Sequence, residues 1–200
     1  MTRTGKRLAL AAALVAALSG AVGAGTVACT RPQVAAEPDA GQVVDVELMA
    51  YLSEARAIHH QATIKEELGD VKGAVASMDR LVNARRPAGG KLPEVEEVLA
   101  DAWARRAELE LKLGDLGAAD RSLKAGLDHA PDTSYFRGHL VEVQGLVEEA
   151  RGAQLADAGK ADEAKRARER AVALLEEAIR IQEAVVARAT TRDGGAEAGR

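Results

Sequence analysis

Leu113-Gly114-Asp115, followed by Ala119, is the stretch that decides how this chain folds. A glycine directly after a helix supplies the left-handed residue that ends it. An aspartate next to it can accept from the first free amides of a following helix. The stretch therefore joins two helices by a tight turn. It recurs. Leu68-Gly69-Asp70 precedes it and Ala158-Gly159-Lys160 follows, with both glycine spacings 45 residues. Alanine stands five residues after each glycine, at Ala74, Ala119 and Ala164. Lys160 lacks an acceptor and cannot cap as the two aspartates do. Self-similarity at a fixed spacing marks a repeat of one supersecondary unit.

The flanking segments carry apolar stripes at a period of 3.6. They read Val95, Val98, Leu99, Ala102, Ala107 and Leu109, then Leu116, Ala119, Leu123, Leu127 and Ala130. Two more follow: Phe136, Leu140, Val143, Val147 and Ala150, then Ala164, Ala167, Ala171, Leu174, Ala178, Ile181 and Val185. Charges occupy the opposite sides, with Asp162/Arg166, Lys165/Glu169 and Glu176/Arg180 four apart. Aromatic content is 2%, namely Tyr51, Trp103, Tyr135 and Phe136. An alanine- and leucine-rich core suits closely approaching helices and suits sheets poorly. The fold class is all-α: about three antiparallel helix pairs with a long C-terminal helix over 161–189. Residues 190–200 are expected to be a disordered tail.

The pattern resembles the tetratricopeptide repeat. Trp103, Ala107, Gly114, Ala119, Leu123 and Pro131 stand at the spacings that family uses. The first unit matches through Ala62, Gly69, Ala74, Met78 and Leu81, the third through Gly152, Gly159, Ala164 and Ala171. The family period is 34, so about 11 residues per unit must lengthen the first helices or fill linkers such as 85–90. The resemblance implies a stack of helix pairs with a concave face, capped by the last helix. Trp103 is expected to pack between the two helices of the second pair.

The N-terminus is an address. Arg3, Lys6 and Arg7 lead into an apolar run, Leu8–Leu18, and then a small, glycine-rich stretch to Ala28. That is the layout of a secretory signal peptide. The run of 11 residues is too short to span a bilayer. Thr26-Val27-Ala28-Cys29 resembles the lipobox of bacterial lipoproteins, with Thr26 where that family favours leucine. The resemblance implies cleavage before Cys29 and its acylation, with palmitate among the chains. Ordinary cleavage after Ala28 and an uncleaved anchor over 8–28 remain alternatives. Thr30 in place of an aspartate leans towards the outer membrane by the same resemblance. Residues 29–44, with Pro32 and Pro38, read as a flexible tether, and 45–189 as the helical repeat domain.

Charge and motifs narrow the function. The first 28 residues hold three of the 27 Lys+Arg and no acid, leaving 24 bases against 31 acids, a formal −7. That balance disfavours nucleic acid. His59-His60 are neighbours about 100° apart on a helix and cannot readily clamp one ion. His129 and His139 have no companion four residues on. Ser53, Ser77, Ser122 and Ser134 lack an elbow motif, and Gly89-Gly90 lacks a phosphate-loop lysine. Glu96-Glu97, Glu148-Glu149 and Glu176-Glu177 read as exposed acid pairs. No cofactor, metal, small-molecule substrate or enzymatic activity is expected. By the resemblance, a partner groove forms from the first helices: Arg56, His59, Thr63, Glu66 and Glu67, then Asp101, Ala104, Glu108 and Lys112, then Glu149 and Ala153. Acids outnumber bases there, which implies a basic segment of another envelope protein as partner. The expected function is a membrane-tethered protein–protein adaptor. A self-associating helical spacer, with a coiled-coil last helix, is the alternative.

Overall fold

A computed structural model describes residues 45–88 and 91–197. The signal-peptide and tether assignments, and Cys29, lie outside the described residues. Among those residues the chain is all-helical, without strands: α1 Val46–Glu67, α2 Val71–Val82, α3 Pro93–Lys112, α4 Leu116–Leu127, α5 Tyr135–Asp157 and α6 Ala161–Glu197. None of these helices is long and apolar enough to cross a membrane.

The three turns share one chemistry. Gly69, Gly114 and Gly159 take φ of 81°, 76° and 74°. At each, the glycine N–H donates to the carbonyl three residues back (Glu66, Leu111, Ala156). The next N–H donates to the carbonyl five residues back (Lys65, Glu110, Leu155). These are Schellman closures, which satisfy the free carbonyls at a helix end. Asp70 Oδ1 accepts from Gly73 N and Asp115 Oδ1 from Ala118 N, both at 2.9 Å. An L side chain at such a φ is strained by about 1–2 kcal/mol. Gly114→Ala is therefore expected to lower the unfolding free energy, measured by urea denaturation, by that amount. Gly117→Ala, inside α4 with no close neighbour to an added methyl, should raise it by up to about 1 kcal/mol.

Helices pack in sequence order. α1 lies on α2, α3 on α4 and α5 on α6. α2 also meets α3, α4 meets α5, and the first helices touch one another, α1 with α3 and α3 with α5. The first helices have 22, 20 and 23 residues against 12 for α2 and α4, so the 45-residue period is housed partly in long first helices. The linkers 83–92 and 128–134 take the rest.

Every residue of the four predicted stripes is buried or half-buried. Alanines at the close crossings are sealed: Ala62, Ala74, Ala107 and Ala119 are each 0% exposed. In the last pair the counterpart of Ala107 is Gly152. A methyl there would sit 3.0 Å from Arg168 Cγ and 3.3 Å from the Ala164 carbonyl oxygen.

Three expectations change. The last helix does not stop at residue 189 but continues to Glu197, so 190–197 are helical rather than a disordered tail. An established helix gains one bond per added residue, and the Thr190 and Thr191 hydroxyls also donate to the carbonyls of Val186, Ala187 and Arg188. Trp103 is not confined to the second pair: its Cβ lies beside Gly126 of α4, and it also packs against the α1–α2 cluster and against that of Tyr51, Val95 and Leu99. It thereby joins the first pair to the second, with the Arg106 guanidinium 5.2 Å from its ring centroid. Of the three ion pairs expected on α6, only Lys165–Glu169 closes, at 3.8 Å.

Candidate functional site

α1, α3 and α5 lie side by side, and their polar sides form one charged row. His59 Nε2 faces Asp101 Oδ2 at 3.5 Å. Glu66 of α1 pairs across with both Arg105 and Lys112 of α3. Arg105 Nη1 also donates to Glu108 Oε2 at 2.8 Å. Glu108 Oε1 lies 3.5 Å from His139 Nε2 on α5, and His139 Nδ1 is 3.8 Å from Glu142. The Thr63 hydroxyl donates to the His59 carbonyl, so it serves its own helix.

Of the sequence-predicted groove residues, the row brings together His59 with Asp101, Glu66 with Lys112, and Glu108 through Arg105. Arg56, Glu67 and Glu149 are exposed and form no ion pair with a described residue. Ala153 is exposed too. Ala104 does not belong to the groove. It is 1% exposed and sits in the core with Val143 and Val147, because α5 covers that side of α3. Positional mapping missed Arg105, His139 and Glu142, since which side chains cross from helix to helix depends on how the pairs are offset.

Two titrations respond to this setting. Burial pushes the His59 imidazole below its usual value. The Asp101 carboxylate works against that shift and Arg105 adds to it. The hydrogen bond from Lys112 holds the Glu66 carboxyl below its usual range, helped by the Arg105 charge and opposed by burial. A histidine depressed in the fold binds its proton more readily when unfolded. Its neutral form then favours folding, and that advantage shrinks as pH falls below about 6.5. The wild-type chain should lose stability relative to His59→Gln between pH 7 and 5, read from thermal midpoints. A constant difference would show that His59 does not titrate differently on folding. The Glu66 contribution has the same sign but is lost at lower pH, below the ordinary carboxylate range.

A second polar set lies between the helices of the first two pairs. Glu110 is 4% exposed, and accepts from Ser122 Oγ at 2.6 Å and from Arg106 Nε at 2.9 Å. One period earlier, Lys65 Nζ donates to Ser77 Oγ at 2.9 Å, and Gln61 shares the same hydroxyl at 3.3 Å. Residues 61, 65 and 77 recur as 106, 110 and 122, the spacing of the turn glycines. That spacing was the signal for them. In the third pair the last two positions become Leu155 and Ala167. Arginines also tie each first helix back to the preceding pair, Arg106 to Asp79 at 2.8 Å and Arg151 to Asp120 at 2.6 Å.

Two acid pairs read as exposed are not wholly so. Glu96 is half-buried and bonds the His129 ring at 2.8 Å. Glu148 is half-buried between Arg151 and Arg170. The linkers and α6 cover the sides of α3 and α5 that periodicity alone assigns to water. His60 is exposed. Among the described residues no group of three His, Cys, Asp or Glu converges as a metal site.

Comparison with known protein families, with curated proteins and with solved structures gave no match.

Proposed function

We propose that this chain is a membrane-tethered protein–protein adaptor of the bacterial cell envelope. Its helix pairs form a tetratricopeptide-like stack that holds a basic segment of a partner along the row on α1, α3 and α5. The observation that carries this reading is the row itself. Charged groups from three helices meet in one line, most of them half-buried with Lys112 and Glu142 exposed, and acids outnumber the permanent bases along it. Fixed, partly desolvated charges of that kind select a partner by complementarity rather than by area. Helix-pair repeats use such extended surfaces to grip peptide segments. The repeated turns, the successive packing of pairs and the small residues at each crossing support the stack. The basic start, apolar run and Thr26–Cys29 stretch support export and an acylated Cys29, with residues 29–44 as the tether.

Glu67 and Glu149 are the residues to reverse, because both are exposed and neither holds another side chain. Glu108 is a poor choice, since it anchors Arg105 and His139. Glu67→Lys with Glu149→Lys should reduce cross-linked capture of the partner from native envelopes, with helical content unchanged. Undiminished capture would remove the row from consideration. Mass spectrometry of the mature N-terminus tests the anchor: a diacylated or triacylated Cys29 is expected. A free Cys29 amine, or a chain retaining residues 1–28, refutes it.

A further inference from the structure

In the first two pairs the outward side of the second helix is covered by the pair that follows. Val82 of α2 is buried in one cluster with Ala102 and Leu109 of α3. Leu127 of α4 packs against the cluster that holds Leu140 and Val143 of α5. The residue one period further on is Val172 of α6, and it is 56% exposed. From Val172 an apolar stripe continues at sevenfold spacing through Ile179 and Val186, 58% and 62% exposed. Half-buried Leu175 and Gln182 lie between them. Two recesses follow the stripe. One is lined by Lys165, Arg168 and Val172, the other by Ile179, Glu183, Val186 and Glu142 of α5.

We infer that this face binds the same face of a second copy, the two α6 helices running antiparallel to close a dimer. Three observations favour that occupant. The face is continuous with an interface this chain already makes twice internally, so its shape and chemistry are those of a helix-on-helix contact. The two ends of the stripe differ in charge. Arg168 stands at the N-terminal end, where Lys165 is paired with Glu169, and Glu183 stands at the C-terminal end. Antiparallel pairing sets bases over acids at both ends, whereas parallel pairing sets like over like. The third observation is length. Gln182 Nε2 donates to the carbonyl of Tyr135, the first residue of α5, at 3.1 Å. The 15 residues from 183 to 197 extend about 22 Å past that point. α6, at about 55 Å against about 33 Å for α1, is matched along its full length only by another α6. A two-fold contact also closes on itself instead of growing into a filament.

The test is sedimentation equilibrium of the full chain, with circular dichroism to confirm that helix content is kept. Ile179→Glu should weaken dimerisation about a hundredfold by placing a carboxylate in the seam of each copy. Arg168→Glu and Glu183→Arg should each weaken it about tenfold, and the double swap should recover it to within about twofold. The swap reads this seam alone, because association through any other part of the chain, Leu8–Leu18 included, is indifferent to it. In a Cys29→Ser background, Arg168→Cys chains should cross-link to Val186→Cys chains and neither variant to itself. A monomer at all concentrations, growth beyond two copies, no rescue by the double swap, or self-cross-linking of each single variant would overturn the proposal.

Discussion

Truncating Leu140 to alanine should lower the unfolding free energy by about 3 kcal/mol, measured by urea denaturation. Leu140 is 0% exposed and sits in the cluster where α3, α4 and α5 meet, with Ala100, Leu123 and Val143. Three helices frame the site, so it cannot collapse around the missing atoms, and the cavity cost adds to the lost transfer energy. Gly126 of α4 explains how tightly the space is filled. A methyl on it would lie 2.6 Å from Leu140 Cδ2 and 2.9 Å from Trp103 Cβ. Gly126→Ala alone should cost about 1–2 kcal/mol, overpacking outweighing the gain in helix propensity. In the double variant the methyl enters space that Leu140 has vacated. The combined loss should fall short of the sum of the two. A Leu140→Ala chain within about 1 kcal/mol of wild type would mean that the three helices do not meet there as described.

The second large effect is expected at Glu110. Glu110→Ala should cost about 2–3 kcal/mol, because the acceptor is deleted and its donors remain. Ser122, 2% exposed, would keep a buried hydroxyl whose partner has gone. Arg106 would retain its ion pair with Asp79 and its place over the Trp103 ring. Ser122→Ala should cost less, about 1 kcal/mol, since Glu110 still holds Arg106. Combining Glu110→Met with Ser122→Ala removes both polar partners and should recover much of the loss. If Glu110→Ala and the paired replacement prove equally destabilising, the loss comes from packing volume and not from a stranded polar group.

The turns and the stripes were legible because both are local. A glycine with φ near 76° and the aspartate after it act within a few residues, and a 3.6 period shows wherever one side of a helix is buried. The polar set at Gln61, Lys65 and Ser77 was visible in the same 45-residue period. It does not stand out, because a serine that bridges two helices leaves no local mark separating it from one that faces water. The row on α1, α3 and α5 was half legible. The predicted faces supplied His59, Asp101, Glu108 and Lys112, but Arg105 and His139 enter only through the offset between neighbouring helices. Ala104 was misplaced for the same reason.

Sequence alone determined that this chain makes helices, where three of them end, and which stripes along them leave water, since capping and amphipathic periodicity are near-neighbour effects. Tertiary structure decided which charges meet, that Ala104 is core and Glu96 half-covered, and that Val172, Ile179 and Val186 stay open. Those outcomes depend on how far one rod slides along another and on whether a further rod follows. No interval along the chain records either.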